Sequence, residues 1–254
     1  MAQDRAKQMV VDYFLAILAL LVFWEIASLL LNKPYLPGPY ESFSVFAREI
    51  GEFLGVHLLV STVRVVVSLA AALVPAVALG VVLGRVTRLD RYAAPLIYLT
   101  YPIPKIIFLP LIVTLFGLGN FSKIFLIWII VFFQILVTTR DAARQVNKDM
   151  VDSVLSLGAG EWQIYRYVIL PSCLPKILTS LRISLGTAIA VLFFSETVAN
   201  VGSVGGIGYY VMEAWAKLEW NAMFAGIIAM GIMGFALYLI LDWLEKILCP
   251  WEFL

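Results

Sequence analysis

The chain has 254 residues, of which 62% are hydrophobic and only 14% charged, against roughly 45–50% and about 25% in soluble domains. Its mean hydropathy of +0.95 excludes an ordinary soluble domain and indicates an all-α polytopic membrane protein. The net charge of +1 carries no sign of a nucleic-acid partner, and the single histidine, His57, argues against a His-based metal or catalytic cluster.

Taken in order, the chain opens with a polar stretch holding Arg5 and Lys7, followed by an apolar run from Val10 to Leu31. A secretory signal has a shorter apolar region of about 7–15 residues and a small-residue cleavage site, so the run reads as a first membrane span. Residues 32–40, NKPYLPGPY, cannot be helical, because Pro34, Pro37, Gly38 and Pro39 punctuate them. From Glu41 to Phe53, Phe43, Phe46, Ile50 and Phe53 recur at helical spacing with charges between them, the pattern of an amphipathic helix lying on the outer membrane surface.

His57 to Gly84 is a second span with Arg64 toward its outer end, and Arg85, Arg88 and Arg91 after it mark a cytoplasmic loop. The third span, Ala93 to about Phe116, carries Pro95, Pro102, Pro104 and Pro110. Backbone broken at membrane depth is tolerated only where protein buries it or a watery path runs beside it. FGLGN (116–120) is a turn, and Lys123 to about Thr138 is a fourth span. Arg140, Arg144, Lys148, Arg166 and Lys176 then crowd a central loop of about 141–176, which places it in the cytoplasm. Leu181 to Ala199 is a fifth span with Glu196 near its far end. Asn200 to Gly208 is a glycine-rich outer turn, Tyr209 to Trp220 a short aromatic helix, and Asn221 to Leu248 a sixth span. Both termini thus fall in the cytoplasm. Cys173 and Cys249 lie on that same side, where a disulfide is not expected. With no repeat and no linker, residues 1–254 read as one domain.

Within the central loop, Asp141 to Leu157 reads as a helix with Val146, Met150, Val154 and Leu157 at steps of three and four. Gly158 breaks it. A second short helix starts at about Glu161, carries Trp162, Tyr165 and Val168 or Ile169 on one face, and ends at Pro171. Two short amphipathic helices outside the bilayer make a knob for another protein to grip.

This run resembles the EAA loop of permease subunits from binding-protein-dependent ABC importers: E-A-A, three residues, G, nine residues, then I-x-L-P. Asp152, Ser153 and Val154 fill a degenerate triplet, Gly158 is the glycine, and Val168, Leu170 and Pro171 close the motif. The resemblance extends over about residues 36–251. PIPKIIFLPLIVTLFGLGNFSK (102–123), LPKILTSLRISLGTAI (174–189), SETVANVGSVGGIGY (195–209) and DWLEKILCPW (242–251) are similar to stretches of the nitrate, sulfonate and taurine branch. Lys105, Ser195 and a lengthening around Val204–Gly206 depart from that branch, close to the path its members imply.

The resemblance implies a type I importer permease fold of six spans with a cytoplasmic coupling loop. The chain has no G-x-x-x-x-G-K-[ST] phosphate loop. ATP and Mg²⁺ would therefore sit on a partner ATPase, with no cofactor, metal or catalysis on this chain. Two cytoplasmic P-loop ATPases would grip Asp152, Ser153, Val154, Leu157, Gly158, Ala159, Gly160, Glu161 and Pro171 of two permease copies. A binding protein outside a bacterial inner membrane would deliver a small, anionic nutrient such as a sulfonate, taurine or nitrate. Pro102, Pro104, Lys105 and Glu196 are candidates for the path, since an ionisable group inside a span is by default functional. Lys105 on the broken span would attract an anion if it faces a passage. The alternatives are structural pairing of Glu196 with Lys105 or with Arg64, or a snorkelling Lys105. Gly80, Gly84, Gly226, Gly231 and Gly234 read as helix-packing positions. A self-sufficient ion-coupled secondary transporter or channel is the competing class, although only the third span is heavily interrupted. An integral-membrane enzyme would need a His, Asp, Glu or Cys constellation that the sequence lacks.

Overall fold

Long apolar runs must close their backbone hydrogen bonds internally, and the described part of the chain is built from helices and turns. The computed structural model describes residues 2–198 and 205–252, so Ala199, the expected end of the fifth span, and residues 200–204 of the expected outer turn lie outside it. The helices are α1 (Ala2–Leu31), α2 (Pro39–Glu49), α3 (Phe53–Arg85), α4 (Thr87–Thr100), α5 (Leu109–Phe116), α6 (Asn120–Arg144), α7 (Lys148–Ser156), α8 (Glu161–Ile164), α9 (Leu170–Val198), α10 (Ile207–Ala216) and α11 (Trp220–Leu248). Five helical segments are long and apolar enough to cross a membrane. The remaining crossing, third in chain order, is the pair α4 and α5, bent by 80° at its break.

The core is made where α3, α6 and α9 meet, around Val65, Ala72, Ala76, Leu126, Val131, Ile135, Ala188 and Leu192. Helices in lipid associate by close packing rather than by a hydrophobic drive, so small residues decide where backbones approach. A Cβ on Gly80 would lie 2.7 Å from Thr139 Cβ, and one on Gly84 would lie 2.5 Å from the Arg140 carbonyl oxygen. These two glycines, one turn apart, set the α3–α6 distance. Gly226 does the same against Val211, and Gly234 touches Ile189, but Gly231 has no described atom within 4 Å of where its Cβ would be. By contrast α1 leans on the bundle through few contacts. Trp24 stacks on Phe224 at 5.3 Å and donates from Nε1 to the Pro37 carbonyl at 2.9 Å, which holds the proline-rich stretch against the helix.

Several boundaries differ from the sequence reading. The end of the bundle carrying residues 145–160 is termed the inner end below. No loop separates the second and third spans there: Val86 alone breaks α3 from α4, and Arg88 and Arg91 ride on α4. The helix expected over 141–157 is interrupted at 145–147, because the Asn147 side chain accepts from the Asp149 N–H at 2.8 Å and starts α7 afresh. Pro171 does not end the second short helix. A π-type turn over Tyr165–Ile169, with the Leu170 N–H donating to the Tyr165 carbonyl, widens the backbone ahead of the proline. Helix therefore runs unbroken from Glu161 to Val198. The fourth span likewise extends, from Asn120 to Arg144, and the aromatic helix stops at Ala216.

Candidate functional site

Three places collect the residues singled out by sequence. The first is the knob at the inner end. Val151, Ile164, Val168, Ile169 and Cys173 pack with Val81, Ala142 and Ala143 into a small core of their own, which fastens α7 and α8 to the inner ends of α3 and α6. Between the two helices, Gly158 N–H donates to Leu155 O at 2.9 Å and Ala159 N–H to Val154 O at 3.3 Å. This 5→2 and 6→1 pair requires a left-handed residue between, and Gly158 supplies it at φ +84°. No described atom lies within 4 Å of its missing Cβ, so the glycine serves backbone conformation rather than close approach. Gly160 has an ordinary φ of −78° and its N–H donates to Gln163 Oε1 at 2.7 Å. Val154 and Ala159 are half-buried, Pro171 is partly covered, and Asp152, Ser153, Gly160 and Glu161 face outward. Leu157 is 86% and Trp162 73% exposed.

The second place is the break in the third span. Pro102 and Pro104 cannot continue a helical ladder, which leaves carbonyl groups at the end of α4 without helical partners. Lys105 Nζ donates to Thr100 O at 3.0 Å, Tyr101 O at 3.1 Å and Ile103 O at 3.3 Å, and lies 5.1 Å from the centre of the Phe133 ring. An ammonium has three donors, and here they cap the negative end of α4. Lys105, Pro102 and Pro104 also line a cavity of about 390 Å³ with Phe133, Gln134 and Thr187. A second cavity of about 620 Å³ shares Tyr101 and Gln134 as wall and continues toward the inner end past Ser180, Ser184 and Arg182. Gln134, Ser180, Ser184 and Thr187 were missed in the sequence. Their signal was a polar residue every three or four positions within otherwise apolar spans.

The third place is at the outer end, around Glu196. Its carboxylate accepts from Arg64 Nη1 at 2.6 Å, from the Ser61 hydroxyl at 2.8 and 2.9 Å and from the Gly208 N–H at 2.9 Å, and the residue is 0% exposed. Arg64 also donates to Asn120 Oδ1 and to the Gly205 carbonyl. His57 Nδ1 stands 3.1 Å from both N and O of Gly206. Of the roles left open for Glu196, the geometry takes pairing with Arg64. The structure separates it from Pro102, Pro104 and Lys105, whose cavity it does not line. An equivalent buried pair at the inner end, Arg140 with Asp90, joins α6 to α4, with Arg144 adding a contact to Asp90 at 3.3 Å.

Six crossings, one of them broken beside a polar groove that opens toward the end bearing an exposed knob, are the framework of a membrane-transport permease. The chain belongs to the family described as binding-protein-dependent transport system inner membrane component, whose model matches residues 76–252. It is 34% identical over 240 residues to the taurine transport system permease protein of Escherichia coli (strain K12), covering 92% of this chain and 86% of that one. It is 28% identical over 237 residues to the formylaminopyrimidine transport permease protein of Halalkalibacterium halodurans, covering 92% and 93%. Among solved structures, a chain of the MetNI methionine ABC transporter in inward-facing conformations has the same fold, with TM-score 0.66 and 20% identity over 79% of this chain and 98% of that one. The chain is thus an ABC importer permease of the nitrate, sulfonate and taurine branch.

Proposed function

We propose that this chain is the path-forming subunit of an ATP-driven importer in a bacterial inner membrane, both termini in the cytoplasm, carrying a small anionic nutrient of the sulfonate, taurine or nitrate kind. Two copies of the chain form the path between them. A binding protein loads the outer face, and two P-loop ATPases dock at the knob, holding the ATP and Mg²⁺ that this chain does not bind. The charge bias supports the orientation: twelve of the 18 Lys and Arg lie on the knob side of the six spans.

One observation carries the coupling. Leu157 and Trp162 stand exposed on either side of Gly158, on a knob fixed by its own core, and Trp162 lies in the first turn of the helix that becomes α9. Large apolar groups held rigidly outside lipid mark a protein contact, and packed contacts transmit rigid-body motion. Asp152, Ser153, Val154, Ala159, Gly160, Glu161 and Pro171 complete the docking surface and its footing. The test is a pull-down of tagged permease from its native membrane. A P-loop ATPase should accompany the wild type and be lost with Gly158→Arg. Wild type recovered alone, yet moving solute in liposomes without ATP, would overturn the reading.

A further inference from the structure

Ser180, Ser184 and Thr187 recur at steps of four and three on α9, and Gln134 and Thr138 at a step of four on α6, so each helix turns one polar face to the two adjacent cavities. Gln134 bridges the faces, its Nε2 donating to Thr187 Oγ1 at 3.2 Å. Two atoms of this strip, Gln134 Oε1 and Ser184 Oγ, are buried with no hydrogen-bond partner among the described residues, and Ser184 is 0% exposed. Buried polar atoms are seldom left so. Other helical serines here satisfy themselves on the carbonyl four residues back, as Ser68 and Ser172 do. Ser184 does not.

The charged groups around the groove are engaged, apart from Glu252, which lies exposed on the wall of the larger cavity. Lys105 is capped by three carbonyls, Arg182 holds Asp242 at 3.1 Å and Glu245 at 2.5 Å, and Lys176 donates to Gln145. Beside Gln134, what the groove leaves over is neutral and of two kinds: hydroxyls able to donate, and an amide oxygen able only to accept. A bare oxyanion would use the hydroxyls and set its charge against Gln134 Oε1. A bare cation would take Gln134 Oε1 and leave the hydroxyl protons without an acceptor. A small solute bearing both an oxyanion and an N–H donor satisfies both.

We propose that Gln134, Ser184 and Thr187 form a transit subsite for a small zwitterion of the aminosulfonate class, the oxyanion on the Ser184 and Thr187 hydroxyls and the ammonium on Gln134 Oε1. The inference rests on the transport reading above and narrows its cargo. It is tested on the permease–ATPase assembly in lipid nanodiscs without the binding protein, by equilibrium binding of radiolabelled taurine. Ethanesulfonate, which keeps the oxyanion and lacks the amine, serves as competitor. Wild type binds taurine saturably and prefers it to ethanesulfonate by about tenfold or more, the scale of one hydrogen bond to a charged group. Gln134→Leu abolishes that preference, and Ser184→Ala weakens both ligands. Thr139→Val removes a hydroxyl that is equally buried and unpartnered but outside both cavities, and leaves binding unchanged. The proposal is overturned if ethanesulfonate matches taurine, if Thr139→Val weakens binding as much as Ser184→Ala, or if an assembly that takes up taurine with ATP and binding protein shows no saturable site. If no ATPase accompanies the wild type, the importer reading itself falls and takes this assignment with it.

Discussion

At the outer end, Arg64 and Glu196 turn their charges inward and are enclosed by Ser61, Asn120, Gly205 and Gly208; at the inner end, Leu157 and Trp162 turn apolar surface outward into water. Each arrangement is costly taken by itself. A buried ion pair gains little over a well-packed apolar pair, but it makes one registry of its helices far better than any other. An exposed apolar elbow contributes nothing to the lone chain and is useful only when another surface covers it. The outer end is thus built to hold α3, α6 and α9 in register, and the inner end to be held by something else.

That contrast is broken most strongly at Glu196. Replacing it by Ala leaves Arg64 buried with its main charge partner removed, at a cost of about 3–5 kcal/mol, visible as a large fall in the melting temperature of the purified protein. The double change Arg64→Met with Glu196→Met should lose less than Glu196→Ala alone, and an equal or greater loss would remove the registry argument. Next comes Gly84→Leu, which forces α3 off Arg140 and Ala143 and should cost about 1–3 kcal/mol. Gly231→Ala, with open space at its Cβ, should stay within about 0.5 kcal/mol. Equal melting of the two variants would refute glycine-set spacing.

A smaller effect lies on α10, outside the spans, where the Tyr210 hydroxyl donates to Glu49 at 2.5 Å. Burial first, then the Glu49 carboxylate, push the Tyr210 hydroxyl above its ordinary pKa. A proton held more tightly in the folded chain adds stability that is whole below the unfolded value, about 10 for tyrosine, and is lost as pH rises through the folded one. Tyr210→Phe should therefore cost about 1–1.5 kcal/mol near neutrality, with the gap to wild type closing in strongly alkaline melts. A gap independent of pH would show that packing alone is lost. A comparably small change in stability is expected of Gly158→Ala, about 1 kcal/mol for forcing Ala into a left-handed conformation, yet ATP-driven uptake in proteoliposomes should fall well beyond that. Uptake that tracks melting temperature alone would argue against the knob as the coupling point.

The spans, their number and the knob were legible because they depend on local signals: apolar run length, arginine clusters, a glycine at the correct offset. Gly80 and Gly84 were legible as packing residues for the same reason. The partner of Glu196 was legible only as a choice between Lys105 and Arg64, since Arg64 lies 132 positions away and spacing does not say which buried charges meet. Lys105 shows another limit. Sequence shows a cation on a broken span, but that its donors fold back onto the carbonyls freed by Pro102 and Pro104 is a matter of three dimensions. Pro171 was read by the rule that proline ends helices, and the π-type turn that absorbs it leaves no mark in composition. Gln134 and Ser184 were passed over because single neutral polar residues in long apolar helices are common, and only the cavities bring them together.

The unbroken helix from Glu161 to Val198 has a mechanical consequence. Its 38 residues make a rod of about 57 Å at 1.5 Å per residue. Tilting such a rod by one degree about its inner end moves its far end by about 1 Å. Trp162, Ser184, Thr187 and Glu196 sit along it in that order, so a small rotation imposed at the first reaches the others in proportion to their distance, less whatever the π-type turn at Tyr165–Ile169 and Pro175 take up.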